Sequence, residues 1–170
     1  MMIITADHTD IRILNALINS SYRGEASKKG WTTEADLLDG LRTDETALEE
    51  MINEKNSVIL KCLDENDFMA GCVYLQKQDH KLYLGMLTVS PLHQNNGIGK
   101  KLLKAAEEYA NNKKSSSIIM TVISIRRELI EWYERRGYEK TGETKPFHYN
   151  GARFGIPKMP LEFIFLQKKV

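Results

Sequence analysis

Residues 87–100 have the features of an anion-binding turn. They comprise the end of a strand, a turn with glycines at two alternate positions, Gly97 and Gly99, and the start of a helix. The unpaired N–H groups and the positive dipole end of a helix N-terminus attract anions. Glycine also lets the backbone approach a phosphate closely, because no Cβ intervenes. The alternative is that both glycines serve only close packing or the start of the helix.

Two common phosphate-binding motifs do not match this turn. A nucleoside-triphosphate loop requires G-x-x-x-x-G-K-[ST], whereas Gly99-Lys100 is followed by Lys101, and no glycine stands five residues before Gly99. A dinucleotide-binding turn requires G-x-G-x-x-G, whereas Gly99 is followed by two lysines and a leucine. The residues therefore disfavour both nucleotide classes.

The turn resembles the acyl-CoA signature of the GNAT superfamily of N-acetyltransferases, [QR]-x-x-G-x-[GA], which is filled by Gln94, Gly97 and Gly99. The strand before it and the helix after it extend the resemblance on both sides. The resemblance implies that acetyl-CoA is the co-substrate, with its pyrophosphate on backbone N–H groups and its pantetheine arm paired to a strand edge. The implied phosphate-binding residues are Gln94, Asn95, Asn96, Gly97, Ile98, Gly99 and Lys100, and the implied strand-edge residues are Leu87, Thr88 and Val89.

A second signature of the family, a Tyr four residues before Gly-Phe or Gly-Tyr, is matched by Tyr133 and Gly137-Tyr138. The resemblance implies that Tyr133 is the general acid that protonates the departing coenzyme A thiolate. The alternative is a core tyrosine, because Tyr133 shares an apolar helical face with Leu129 and Ile130.

The chain departs from the family pattern at two positions. Arg126 stands seven residues before Tyr133, where many members have an Asn that binds pantetheine. We expect Arg126 to bind the coenzyme or a substrate carboxylate, and a solvated arginine is the alternative. Tyr83 stands where some members have a Glu base, so the general base is not identified. A water relay to Glu25, Glu34 or another carboxylate is one route for the proton.

The resemblance implies an acceptor pocket between residues 23–36 and residues 147–160, the second of which contain Arg153. Trp31 and Glu34 are the candidate substrate-binding residues, because an aromatic ring near carboxylates suits a cationic amine. The alternative is a tryptophan that packs only on its own loop.

Hydrophobic periodicity predicts the element order β-α-α-β-β-β-α-β-α-β-β. This is an α/β class fold, a mixed sheet of six to seven strands flanked by helices, with a parallel crossover between the third meander strand and the next strand. The predicted strands cover residues 2–5, 57–63, 68–77, 81–89, 117–123, 138–147 and 161–168, and the predicted helices start at Asp7, Thr43, Gly97 and Glu128, with a helical turn over residues 32–38 and an exposed loop over residues 23–31.

Length and composition narrow the class of protein. The 170 residues suit a single domain, residues 1–170. The 24 Lys and Arg nearly balance the 23 Asp and Glu, so we expect no nucleic-acid or membrane partner. Cys62 and Cys72 stand in strand-like runs, which suits buried, reduced thiols. We expect a soluble, cytoplasmic protein without a metal site, and a homodimer with the last strand at its edge.

Together these features predict an acetyl-CoA-dependent N-acetyltransferase. The acetyl group would pass to a primary amine of a small molecule or amino acid derivative, by direct attack in a ternary complex. The alternatives are a protein or peptide N-terminal acetyltransferase and a non-catalytic acyl-CoA-binding module.

Overall fold

The computed structural model of the chain describes residues 1–147 and 154–170. The strands are β1 (Met2–Thr5), β2 (Leu38–Asp39), β3 (Ser57–Leu63), β4 (Met69–Gln78), β5 (Lys81–Val89), β6 (Ser117–Ile123), β7 (Glu139–Pro146), β8 (Ile156–Pro157) and β9 (Glu162–Lys169). The α-helices are α1 (Ile11–Tyr22), α2 (Gly24–Ser27), α3 (Glu45–Asn53), α4 (Ile98–Asn112) and α5 (Arg127–Glu134), and 3-10 turns cover His8–Asp10 and Pro91–His93.

Seven strands form one mixed sheet in the order β1-β3-β4-β5-β6-β9-β7. Neighbouring strands are antiparallel except for β5 and β6, which are parallel and connected through α4. This arrangement confirms the predicted α/β class and the predicted crossover. The short strands β2 and β8 form a separate antiparallel pair that the predicted order does not contain.

The parallel strands β5 and β6 diverge along their length. Their pairing covers only residues 81–83 with residues 117–119. Farther along β5, the pairing with β4 shifts register between Cys72 and Tyr74, and Met86 in this region has a φ of 48°. A β-bulge bends a strand and increases its twist. A cleft consequently opens between the C-terminal halves of β5 and β6.

Helices cover both faces of the sheet. One face carries α1 and α3, and the other carries α4 and α5, because each helix places apolar residues at three- and four-residue spacing toward the strands. Two-sided cover explains why β4 is buried from Ala70 through Leu75. Cys62 and Cys72 are free and buried in β3 and β4, as predicted. The apolar helix residues that form these contacts are Leu14, Leu17, Ile18 and Leu48 on one face and Leu102, Leu103, Ala106 and Ile130 on the other.

The first third of the chain refines the local predictions. The helical turn predicted over residues 32–38 is a single turn, in which Leu37 N and Leu38 N both donate to Glu34 O at 2.9 Å. The Thr33 hydroxyl accepts from Ala35 N at its start, and the chain enters β2 at its end. Helix α3 is capped by Asp44 rather than Thr43, since the Asp44 carboxylate accepts from Ala47 N at 2.7 Å. Residues 23–31 are mostly exposed, as predicted, but they contain the short helix α2 and a buried Arg23.

The strand order also corrects the expected edge. Strand β9 lies between β6 and β7, so β1 and β7 are the edges of the sheet. Every residue of β7 is exposed, and its charged and polar side chains discourage pairing with a further strand. Within the described ranges, no helix combines the length and apolar character needed to cross a membrane.

Candidate active site

The turn between β5 and α4 contains two residues in the left-handed region. Asn95 has a φ of 70°, and Gly97, which precedes the first residue of α4, has a φ of 72°. A Cβ at Gly97 would meet no atom within 4 Å, so the backbone conformation, and not space, favours glycine there. No side chain of the described residues caps this end of α4. The turn therefore presents free N–H groups and a positive dipole end to a ligand.

A cavity of about 540 Å³, here called the first cavity, lies against this turn. All the predicted phosphate-binding residues line it except Asn96, which is exposed beside it. The opposite wall comes from α5 and the residues just after it, which contribute Trp132, Arg135 and Arg136. A Cβ at Gly99 would lie 3.3 Å from the Trp132 ring, so this glycine allows the close approach of α4 and α5.

A strap formed by residues 30–34 crosses the cleft. The backbone of Trp31 is bonded to both sides of the cleft: its N donates to Gln94 Oε1 at 3.0 Å, and its O accepts from Arg126 Nη2 at 3.1 Å. The Trp31 ring packs on the Trp132 ring with 5.5 Å between centroids. Trp31 thus lies along the first cavity, which differs from its expected place in the acceptor pocket.

Two further cavities continue along the cleft. A passage of about 30 Å³ shares Trp31, Val89, Gly99 and Trp132 with the first cavity. A second cavity of about 310 Å³ lies beyond it. Through these shared residues the three cavities follow one another as a trough, which runs from the turn before α4, past the end of β5, to the cleft between β5 and β6, and narrows at the passage. The residues common to the passage and the second cavity are Tyr22, Leu87, Arg126, Leu129 and Tyr133.

The end of β5 forms one wall of this trough. Ser90 N donates to Ala70 O of the neighbouring chain segment, so the alternation of an antiparallel ladder turns the backbone groups of Val89 toward the cleft. Leu87 O accepts a hydrogen bond from Tyr22 Oη at 2.6 Å. Thr88 pairs with β4, is fully buried and lines none of these three cavities. Of the three predicted strand-edge residues, Leu87 and Val89 lie at the cleft.

Tyr133 lies where the passage meets the second cavity. The residue is 5% exposed, and its ring contacts Trp132 and Tyr138 edge-on at 5.0 and 5.7 Å between centroids. Burial raises the pKa of Tyr133 well above its ordinary value. The hydroxyl therefore stays protonated at neutral pH and is available as a hydrogen-bond donor.

Glu34 lies between two arginines beside the second cavity. Its Oε2 lies 3.2 Å from Arg23 Nη2, and its Oε1 lies 3.6 Å from Arg126 Nη1. Burial lowers the pKa of Arg23. The Arg126 side chain is only 9% exposed, so it is not the solvated arginine of the alternative prediction. Glu25 instead pairs with Lys28 at 2.8 Å on the surface, away from all three cavities.

Sequence reasoning missed Tyr22 and Arg42 of the second cavity. Tyr22 ends α1 and is buried, and burial raises its pKa to about 12. The guanidinium carbon of Arg42 lies 5.4 Å from the centre of the Tyr22 ring. Their proximity to the cleft depends on contacts with distant residues, which no local motif signals. The predicted Arg153 lies outside the described residues.

Comparison with known proteins gives consistent results. Residues 34–158 match the model of the acetyltransferase (GNAT) domain family. A probable N-acetyltransferase 14 of Xenopus tropicalis is 31% identical over 80 residues, which are 46% of this chain and 39% of that relative. The crystal structure of a ribosomal-protein-alanine N-acetyltransferase from Brucella melitensis superposes with a TM-score of 0.72, at 22% identity over 100% of both chains. The ribosomal-protein-S18-alanine N-acetyltransferase of Escherichia coli superposes with a TM-score of 0.73, at 13% identity over 99% of this chain and 93% of that one. At sequence identities this low, the superpositions show a shared fold only.

Proposed function

Because this chain belongs to the GNAT acetyltransferase family, we propose that it transfers an acetyl group from acetyl-CoA to a primary amine of a small molecule or amino acid derivative, by direct attack in a ternary complex. The observation that carries this proposal is the single trough that leads from the uncapped N-terminus of α4 to Tyr133. It brings an anion-binding end and a proton donor into one cleft.

The residues of the trough fit a coenzyme A thioester. The free N–H groups of the turn suit the pyrophosphate. The same cavity contains Lys100, Arg135 and Arg136 against Glu128 and Glu131, so its formal charge is positive by one. The backbone of Val89 offers hydrogen-bonding groups to the pantetheine arm. Arg126 lines the passage and supplies guanidinium donors there. When bound, acetyl-CoA supplies an acyl group activated as a thioester.

Tyr133 holds a proton on its hydroxyl at the inner end of the passage, where a leaving thiolate must be protonated. Among the described residues that line the second cavity, Glu34 is the one carboxylate, and both its oxygens face arginines. We therefore assign loss of the amine proton to solvent water, and assign to Glu34 the positioning of Arg126 and the strap.

The test is an acetyl-CoA assay with a panel of small amines, amino acid derivatives and short peptides. Thiol release above hydrolysis, with an acetyl mass increment on one or more primary amines, is the expected result. If coenzyme A binds in the first cavity and no panel member is acetylated, the proposed activity is wrong.

Protein N-terminal acetylation is the second candidate. Two solved structures with this fold are named as enzymes that acetylate the alanine of ribosomal proteins. The volume of the second cavity, about 310 Å³, supports a small acceptor instead. A clear preference for peptides over every free amine in the panel would support the second candidate.

The proposal also covers the domain content, the cellular compartment, the partners and the oligomeric state of the protein. We expect residues 1–170 to act as one domain in the cytoplasm, without nucleic-acid or membrane partners, and the formal net charge of +1 supports this. The family supports a homodimer, and the strand order makes β1 or β7 the edge available for it. Light scattering of the purified protein measures the oligomeric state.

A further inference from the structure

The second cavity carries more positive than negative charge. The charged residues of the described chain that line it are Glu34, Arg42 and Arg126. Glu34 is already engaged by Arg126 and, behind it, by Arg23. Two arginines therefore engage the one carboxylate, and Arg42 adds a further positive charge to the wall of the cavity.

Arg42 has no anionic partner in the described part of the chain. Its guanidinium lies over the Tyr22 ring, and no Asp or Glu of the described residues forms an ion pair with it. Residues 148–153 contain no Asp or Glu, so they supply no carboxylate either. Within the described ranges the Arg42 guanidinium also donates no hydrogen bond, and a guanidinium at a cavity wall with free donors is suited to bind a planar anion.

We infer that the acceptor is a primary amine that also carries a carboxylate, which Arg42 binds in the second cavity. This inference rests on the proposed function. A guanidinium pairs with a carboxylate through parallel hydrogen bonds, whereas a di- or polyamine meets like charge from Arg42 and Arg126. The charge of the cavity therefore favours an acceptor with a carboxylate over the cationic acceptor that was expected from Trp31 and Glu34.

The layout of the cavity supports this orientation. Arg42 and Tyr133 line the same space of about 310 Å³, so a small acceptor can reach both. A carboxylate at Arg42 leaves the amine free to face Tyr133 and the passage, from which the thioester enters. Arg42 is therefore a specificity-determining residue that fixes one end of the acceptor.

The experiment compares primary amines that carry a carboxylate with primary amines that do not. The probes are the common L-amino acids, the corresponding amino acid amides and the diamine putrescine, each assayed with acetyl-CoA. A second arm uses peptides that begin with Asp or Asn. It distinguishes the two possible sources of the carboxylate, a free amino acid and an acidic residue at the N-terminus of a peptide. We expect the best carboxylate-bearing amine to exceed its amide in kcat/KM by roughly 10- to 100-fold.

Two substitutions assign that preference to Arg42. In Arg42→Gln, kcat/KM for the carboxylate-bearing acceptor should fall roughly 10- to 100-fold, while the amide is used as before and acetyl-CoA affinity is unchanged. Arg42→Glu should invert the preference toward putrescine. Arg12→Gln is the matched control, because Arg12 is exposed on α1 and lines none of the three cavities.

The outcomes separate this inference from the proposed function. Acetylation of amides or putrescine at least as fast as of the free amino acids overturns the inference and leaves the acetyltransferase intact. If no acceptor reacts, the proposed function fails, and calorimetry of the amino acids with the coenzyme A complex decides the inference. The inference is supported if an amino acid binds to the complex and this binding is lost in Arg42→Gln. It is overturned if no amino acid binds, or if the binding is unaffected by the substitution.

Discussion

Tyr133 is the residue at which the proposed cofactor path and the proposed acceptor cavity meet. Tyr133→Phe removes the hydroxyl and keeps the ring packing, so kcat should fall roughly 10²- to 10⁴-fold while acetyl-CoA affinity is retained. Steady-state kinetics and calorimetry measure the two effects. Tyr109→Phe, in the helix α4 outside the trough, is the matched control. If Tyr133→Phe and the wild-type protein have equal kcat, Tyr133 is a core residue without a catalytic role.

Burial of Tyr133 also shapes the expected pH profile. Its pKa is raised above the ordinary tyrosine value of about 10, because burial disfavours the charged phenolate. The acid form therefore persists through the alkaline range, and we expect kcat to show no descending limb below about pH 10. A pH–rate profile from about pH 6 to 10 measures this. A fall in kcat with a midpoint near 9, absent in Tyr133→Phe, would contradict the account.

The residues that sequence could identify are those in local motifs. Gln94, Gly97 and Tyr133 stand at fixed spacings that a single chain displays directly. Tyr22 and Arg42 carry no such pattern, since Tyr22 reaches Leu87 across 65 residues of sequence. Long-range contacts of this kind arise only when the elements pack, so the acceptor side of the site was predicted less fully than the cofactor side.

At the scale of elements, the strap narrows the trough to a passage of about 30 Å³. A pantetheine arm needs a wider passage than this, and Trp31 and Trp132, the two tryptophans of the chain, both line the passage. Acetyl-CoA binding should therefore change intrinsic fluorescence, and most of the change should disappear in Trp31→Phe. Saturable binding by calorimetry without any fluorescence change would show that the strap does not move.

The turn before α4 offers a matched pair of substitutions. Gly97→Ala forces a left-handed conformation on alanine, which should lower the free energy of unfolding by about 1–2 kcal/mol. It should also weaken acetyl-CoA binding roughly tenfold, because the amides of the turn shift. Gly142→Ala, at a φ of 87° in β7 and also without atoms within 4 Å, should lower stability similarly and leave affinity unchanged. If both variants bind acetyl-CoA with equal affinity, Gly97 has no particular role in coenzyme binding.

Elements with strong periodicity were predicted well, and the irregular ones were not. The meander strands and α4 agree with the structure because their apolar spacing is regular over seven or more residues. The β2–β8 pair joins strands that are distant in sequence, and the bulge near Met86 is an irregularity within the β4–β5 hairpin that regular alternation of apolar residues does not signal. The width of the cleft could therefore not be derived from the sequence.

For the whole molecule, buried acids predict a loss of stability at high pH. Burial raises the pKa values of Tyr22 and Cys72 to about 12, and raises those of Tyr133 and Tyr138 as well. Between the unfolded pKa, about 9 for Cys and 10 for Tyr, and the higher folded value, the unfolded chain binds fewer protons. The stability that these protonated groups contribute is therefore fully present below about pH 9. Above that pH the free energy of unfolding decreases by about 1.4 kcal/mol per pH unit for each group.

Urea unfolding at about pH 8 and 10.5 tests this linkage. The Tyr138 hydroxyl is buried and has no hydrogen-bond partner within the described residues, so Tyr138→Phe should cost little at the lower pH. At the higher pH the variant should lose less stability than the wild-type protein, because one of the buried groups is gone. An identical loss in both proteins would exclude Tyr138 from the alkaline transition.

We propose that coenzyme A lies in the trough that runs from the turn at residues 94–100, past the end of β5, to Tyr133. A crystal structure of the protein with coenzyme A is the sharpest test of this proposal. We expect the pyrophosphate on the N–H groups of the turn and the thiol sulfur within hydrogen-bonding distance of the Tyr133 hydroxyl. A coenzyme bound outside this trough, or a sulfur remote from Tyr133, would show that the proposal is wrong.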